Sequence, residues 1–250
     1  MSGDLLRIEG LTKMFGGIQA AHNIDYTLSK GEIAAIIGPN GAGKSTVFGL
    51  ITGAQKPDTG RIWFEGRDIT GLPAHEIVNA GISRAFQVAN IFPKLTVLEN
   101  VRSSLQVRRG HVFSLFGDAR RLCAEEAGEL IDRCDLSDKR LLEAADLSQG
   151  DKKRLELAIA LSSAPKLLLL DEPVAGMSRD EASQTMDLVT RLNEEMGLTI
   201  LFTEHNMSIV FGHAKRVLLL HRGEAIIDGS PQEVRDSPVA QEIYFGEQVL

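Results

Sequence analysis

The chain has 250 residues, 43% of them hydrophobic and 24% charged, a balance that supports a proper buried core and fits one large or two small domains. A formal net charge of -7 argues against a surface dominated by nucleic-acid contacts, although it leaves room for a local basic patch. The 2 cysteines, Cys123 and Cys134, are too few and too far apart for a disulfide framework or a zinc site, and read as packing thiols in a reducing compartment.

The opening residues, MSGDLLRIEG, lack a basic stretch followed by an apolar one, and about eighteen apolar residues never run unbroken, so any membrane role is expected to be peripheral. Strand-like runs separated by glycine turns follow at 5–9, 24–28, 33–37 and 61–64, the last before a Glu65-Gly66 turn. The exception is 44–51, helix-compatible and placed directly after a glycine loop at a strand end. From 96 to 161 apolar residues recur three and four apart, as in LTVLENVRSSL, AEEAGELIDRCDL and RLELAIAL, which predicts a helical insert. Short apolar runs at 166–170, 198–203 and 216–221 then alternate with helical segments such as 179–195, the pattern of a parallel sheet with helices on its faces.

The glycine loop at 38–46 reads GPNGAGKST and fits G-x-x-x-x-G-K-[ST] without deviation at Gly38, Gly43, Lys44 and Ser45. Glycines there let backbone N–H groups turn onto phosphate oxygens, Lys44 adds a point charge near the terminal phosphates, and the Ser45 hydroxyl suits Mg2+. Four leucines lead into Asp171, Glu172 and Pro173. Two carboxylates ending a buried strand call for a cation or a donor, and the carboxyl edge of a parallel sheet is where ligands of such folds sit. Asp171 suits Mg2+, and Glu172 is placed to take a proton from, or orient, a water attacking the terminal phosphate. The plainer alternative is that this pair caps the next helix.

Gln87 after ISRAF and His205 after LTILFTE bring two more polar side chains to expected strand ends on the same sheet edge. Phe15, in KMFGG, offers an aromatic face for a purine base, with burial in the core as the alternative. LSQGD at 147–151 is a second anion-friendly turn: Ser148 can cap a helix starting near Gln149, and Asp151 completes a capping-box pattern.

The order of phosphate loop, Gln87, LSQGD, LLLLDEP and His205 resembles the nucleotide-binding subunits of ATP-binding cassette (ABC) transporters over nearly the whole chain. That resemblance implies an α/β P-loop NTPase with a mainly parallel sheet core, an antiparallel β subdomain and a helical subdomain. It implies one ABC ATPase domain over 1–250, with the core and β subdomain at about 1–95 and 165–250 and the helical subdomain at about 96–164. Phe15 would stack on the adenine of ATP, and Gly38, Pro39, Asn40, Gly41, Ala42, Gly43, Lys44, Ser45 and Thr46 would cradle its phosphates. Ser45, Gln87 and Asp171 would serve the Mg2+, Glu172 would be the catalytic base, and His205 would hold the terminal phosphate. Gln87 would also sense the attacking water and the transmembrane partner. Ser148 and Gly150 would cover nucleotide bound by a second ATPase subunit, in a homodimer or a heterodimer.

Three positions depart from the family pattern. Gln149 and Asp151 stand where LSGGQ has Gly and Gln, and Ser178 stands where Asp is common after DEP. A carboxylate beside a polyphosphate should weaken attraction unless it points away as a capping residue. EPVAGMS, TEHNM, the long segment between Gln87 and Leu147 and the ending HRGEAIIDGSPQEV resemble ATPase subunits of bacterial branched-chain amino-acid and amide importers. That branch implies transmembrane permease subunits, a secreted or periplasmic substrate-binding protein, and a peripheral place on the cytoplasmic face of the cell (inner) membrane. Lipopolysaccharide-export ATPases are the rival branch, and a cytosolic ABC ATPase acting on nucleic acid or ribosomes is the alternative outside transport. HVFSLFG at 111–117 is either core packing or a contact for a permease loop.

Overall fold

A computed structural model of the chain describes residues 3–85, 91–108 and 117–246. Two sheets organise it. In the first, β1 (Asp4–Phe15) pairs antiparallel with β2 (Ile18–Ser29) and with β4 (Thr59–Phe64), and β4 pairs with β5 (Arg67–Asp68), giving the order β2-β1-β4-β5. β1 and β2 are longer than their alternation predicts. Register shifts between Ile8 and Leu11 and again toward Met14 break the period of two while pairing continues, so the pattern stops before the strand does.

The second sheet has the order β10-β9-β3-β8-β7-β6. β3 (Ile33–Ile37), β6 (Ile82–Ala85), β7 (Leu167–Asp171), β8 (Thr199–Thr203) and β9 (Arg216–His221) run parallel, and β10 (Glu224–Gly229) closes one edge antiparallel. Its central strands β3, β7 and β8 are buried on both faces, which is why they read as continuous apolar runs, whereas the edge strand β10 has no buried residue. Along β7, Leu168 and Leu170 pack with the helices while Leu167 and Leu169 pack with the antiparallel sheet. All four leucines are fully buried, and at about 2 kcal/mol each their burial pins the strand that ends in Asp171.

Helices fill the remaining layers. α1 (Lys44–Ile51) follows β3 and buries Val47, Phe48, Leu50 and Ile51 on the side of the antiparallel sheet, and α2 (Ala74–Ala80) joins the same core through Ile77. α3 (Val97–Arg108), α4 (Gly117–Arg133) and α5 (Gln149–Leu161) pack on the opposite face with Val101, Leu105, Ile131 and Leu155, and two short 3-10 turns, Ser137–Lys139 and Ala144–Asp146, connect α4 to α5. α6 (Arg179–Met196) starts at a capping box in which Ser178 and Glu181 serve each other's backbone, and ends at Gly197. The Asp171 and Glu172 carboxylates are therefore not needed as its cap. α7 (Met207–His213), α8 (Pro231–Asp236) and α9 (Pro238–Gly246) complete the chain.

Cys123 and Cys134 are buried and free, and burial pushes the Cys134 thiol up to about 12, as befits packing groups. Among the described residues no helix is long and apolar enough to cross a membrane.

Candidate functional site

The glycine loop forms where β3 ends, and two of its glycines are required by space as well as by backbone shape. Gly38 has φ 150, and a Cβ there would lie 2.2 Å from the Leu220 carbonyl oxygen; at Gly43, φ 109, it would lie 2.3 Å from the Ala20 carbonyl oxygen. Gly43 leaves the first turn of α1 without a side-chain cap, so its N–H groups remain available to an anion. Lys44 is 7% exposed and its ammonium donates to the carbonyls of Gly38 at 2.7 Å and Pro39 at 3.1 Å. Burial pushes the Lys44 ammonium below its ordinary value, against the opposing pull of the Glu172 and Asp171 carboxylates. The loop thus holds a cation against its own carbonyls, in a form that an incoming phosphate can take over.

Phe15, Asn40 to Thr46, Glu172 and His205 line one cleft of about 380 Å³. Phe15 ends β1 with its ring 43% exposed and Lys13 Nζ 5.5 Å from the ring centroid, so it is not a core residue. Glu172 follows β7 with φ 50, a left-handed backbone uncommon for a residue with a side chain, and its N–H donates to the Thr203 carbonyl at 3.1 Å. His205 Nε2 lies 2.9 Å from Glu172 Oε1. Both side chains are over 40% exposed, so the contact orients the carboxylate more than it stabilises the fold.

Asp171 sits behind the cleft at 9% exposure, with its two oxygens committed: Arg84 Nη2 donates to Oδ2 at 2.6 Å and Thr203 Oγ1 donates to Oδ1 at 2.7 Å. Among the described residues no cluster of three or more His, Cys, Asp or Glu could hold a metal. Mg2+ bound mainly through phosphate oxygens, water and one hydroxyl needs no such cluster, and the Ser45 hydroxyl, which lines the same cleft as Glu172, fits that demand. Gln87 lies outside the described residues, as do 111–116 of the HVFSLFG stretch.

Three residues absent from the sequence reasoning hold this constellation. Arg84 and Thr203 fix Asp171, and Glu204, 4% exposed, accepts from the Val174 amide through Oε1 and from the His205 amide through Oε2, both at 3.1 Å. One carboxylate therefore ties the loop after Glu172 to the loop carrying His205. A cation inside ISRA and an acid directly before His205 were the available signals, because a charged group on a doubly buried strand or at its end requires a partner.

LSQGD forms the expected N-cap: Ser148 Oγ accepts from the Asp151 amide at 3.1 Å and α5 begins at Gln149. The reciprocal half of the capping box is absent. Asp151 Oδ2 instead accepts from Ser148 Oγ at 2.7 Å and from Lys139 Nζ at 2.7 Å, and its side chain is one methylene shorter than the glutamates that close the boxes at Ser178 and Ser230. Neither Ser148 nor Gly150 lines the cleft that contains Phe15, Lys44 and Glu172.

A second concavity of about 380 Å³ opens between α2, β6, α3 and α5, and an adjoining one of about 600 Å³ shares Val78, Ser104 and Ser163 with it and carries Arg108 and Lys166 at its mouth. Two buried polar atoms on residues lining the first, Arg84 Nε and Glu156 Oε2, have no hydrogen-bond partner, and Glu156 Oε2 is 3.6 Å from Lys153 Nζ. Burial pushes the Glu156 carboxyl above its ordinary value.

Residues 21–175 match a family described as ABC transporter. The chain is 36% identical over 254 residues to the high-affinity branched-chain amino acid transport ATP-binding protein LivG of Salmonella typhimurium, covering 99% of this chain and 100% of that protein. It is 35% identical over 244 residues to the lipopolysaccharide export system ATP-binding protein LptB of Haemophilus influenzae, covering 98% of each. Among solved structures, a nucleotide-free ATP-binding cassette from an ABC transporter superposes with a TM-score of 0.85 at 31% identity, over 97% of this chain and 99% of that one. A dimeric cassette in a post-hydrolysis state, bound to ADP and Pi, superposes with a TM-score of 0.76 at 27% identity, over 90% of this chain and 98% of the other.

Proposed function

The chain belongs to the ABC transporter family, and on that premise we propose that it is the ATP-hydrolysing subunit of a membrane importer for branched-chain or other hydrophobic amino acids or amides. The observation that carries the ATPase reading is the single cleft uniting an exposed aromatic ring, the phosphate loop and the Glu172–His205 pair. Adenine stacks on Phe15. The phosphates lie along Gly38 to Thr46, and Lys44 exchanges the Gly38 and Pro39 carbonyls for phosphate oxygens. Mg2+, when bound, neutralises phosphate charge; Ser45 would hold it, with Gln87 and Asp171 in its shell. Because both Asp171 oxygens are already engaged, Asp171 fits that role through water more readily than by direct contact. Glu172 orients the attacking water and takes its proton, while His205 fixes the Glu172 carboxylate and reaches the terminal phosphate.

Ser148 and Gly150 are assigned to the nucleotide of a second ATPase subunit. Their absence from the chain's own cleft supports this, as does the dimeric arrangement of the similar cassette. Residues 96–164 are assigned as the helical subdomain that carries this turn. The permease is assigned to the trench between α2 and α5, whose apolar wall and two buried polar atoms without a hydrogen-bond partner, Arg84 Nε and Glu156 Oε2, favour an occupant with its own polar tip. Cysteine at Val78, 43% exposed and on both parts of the trench, should form a cross-link to a permease subunit in the assembled transporter. A cross-link confined to the ATPase subunits would remove that assignment. The subunit then lies peripherally on the cytoplasmic face of the membrane, in a complex that draws on an external binding protein.

Import is favoured over export by the longer alignment with the LivG relative, which spans that protein completely. Glu172→Gln should retain ATP binding and lose at least about a hundredfold in turnover, equivalent to about 2.7 kcal/mol. Cells whose only copy is Glu172→Gln should fail to take up labelled leucine. Near-normal turnover would remove Glu172 as the base, and near-normal uptake with lost turnover would remove the import reading.

A further inference from the structure

The signature turn contains a competition for one proton. Ser148 Oγ accepts from the Asp151 amide and donates to Asp151 Oδ2 at 2.7 Å, and a hydroxyl has a single proton to give. In this arrangement Ser148 has none left for a phosphate. Lys139, the last residue of its 3-10 turn, places Nζ 2.7 Å from the same Asp151 oxygen. Asp151 is 8% exposed, so the pair is largely withdrawn from solvent on the acidic side. Burial alone would raise the Asp151 carboxyl, but hydrogen bonds from Lys139 and Ser148 outweigh it and hold the group below its ordinary range. Asp151 is therefore an anion at neutral pH, within one hydrogen bond of the serine.

We propose that Asp151 and Lys139 act together as a positioning pair that sets how readily Ser148 engages the terminal phosphate on the partner subunit. Asp151 holds the serine hydroxyl in reserve, and Lys139 weakens that hold by sharing the same carboxylate oxygen. The inference rests on the assignment of Ser148 to the partner's nucleotide. A terminal phosphate and Asp151 are both anions seeking the Ser148 proton, and which of them obtains it depends on how far the carboxylate is neutralised. Stripping Lys139 leaves Asp151 with the serine as its main donor and with its charge uncompensated beside a polyphosphate. Neutralising Asp151 removes both the competitor and the repulsion. The two residues thus pull in opposite directions, which a simple helix cap would not produce.

The test is the ATPase rate of the assembled transporter as a function of MgATP. Lys139→Met should raise KM for ATP about tenfold, the worth of one charge-assisted hydrogen bond, with kcat within about twofold. Lys139→Gln, which keeps a donor without the charge, should move KM the same way if Lys139→Met fails to fold, and Lys139→Arg should restore it. Asp151→Asn should lower KM, and adding Asp151→Asn to Lys139→Met should bring KM back near the wild-type value. If Lys139 and Asp151 variants shift KM in the same direction, or the double variant is as impaired as the worse single one, the pair is only a helix cap and the proposal is wrong. Ser148→Ala separates the two readings. No effect of Ser148→Ala on KM or kcat overturns the partner-nucleotide assignment itself, whereas a Ser148→Ala defect with inert Lys139 and Asp151 variants overturns the positioning pair alone.

Discussion

Arg84→Met removes the cation paired with Asp171 while keeping an apolar stem in place near Phe48, whose ring centroid is 5.6 Å from the guanidinium carbon. The Arg84 and Asp171 side chains are 15% and 9% exposed and meet at 2.6 Å. Breaking such a pair by deleting one member costs about 3–5 kcal/mol, chiefly because the remaining charge is left without compensation. Asp171 keeps the Thr203 hydroxyl at 2.7 Å, which places the expected loss near the lower end, about 3 kcal/mol. For a chain of this size that corresponds to a fall in Tm of about 6–12 °C. Thermal melting of Arg84→Met, Asp171→Asn and the double variant measures it. The double variant should melt above Arg84→Met, since the stranded charge is gone. An Arg84→Met protein melting within about 1 °C of wild type, or a double variant worse than Arg84→Met, would refute the argument that this pair anchors Asp171.

Gly43→Ala should reduce nucleotide affinity at least about tenfold, because the added Cβ would meet the Ala20 carbonyl oxygen at 2.3 Å and φ 109 suits only glycine, so the loop must move. Titration with a fluorescent ATP analogue measures this, and unchanged affinity would mean the loop tolerates the shift. The pH dependence of stability has a sign fixed by Asp151. Its folded-state pKa is lowered, so its stabilising contribution is present above the unfolded value of about 3.9 and is lost as pH falls through the lower folded value. The stability gap between wild type and Asp151→Asn in urea unfolding should therefore be constant near neutrality and shrink below about pH 4; a gap independent of pH would contradict the bonding seen at Asp151.

The parts of the site legible in the sequence are those whose chemistry is local. β3, α1 and β9 fall at the residues their patterns indicate, and the glycine loop needs only nine consecutive residues to declare itself. β7 is legible because a run of leucines buried on both faces leads directly into the Asp171 carboxylate that is its last residue. What the sequence leaves dark is long-range. Arg84 and Asp171 are 87 positions apart, and Glu204 reaches Val174 across 30. No periodicity encodes such pairings. Asp151 is instructive in the other direction, since the spacing LSQGD predicts a reciprocal capping box and a lysine 12 residues upstream takes the carboxylate instead. β10, α2, α8 and α9 are short, and their existence depends on the surfaces they cover more than on their own composition.

The left-handed backbone at Glu172 has a consequence for how this position can change. Glycine would occupy φ 50 with less strain, by about 1 kcal/mol, and Asn or Asp would tolerate it better than Glu does. On the role proposed for Glu172 as the base, robustness of the fold and hydrolytic capacity draw position 172 toward different residues. A library of variants selected for heat resistance alone should drift toward small side chains there, whereas one selected for ATP turnover should keep the glutamate.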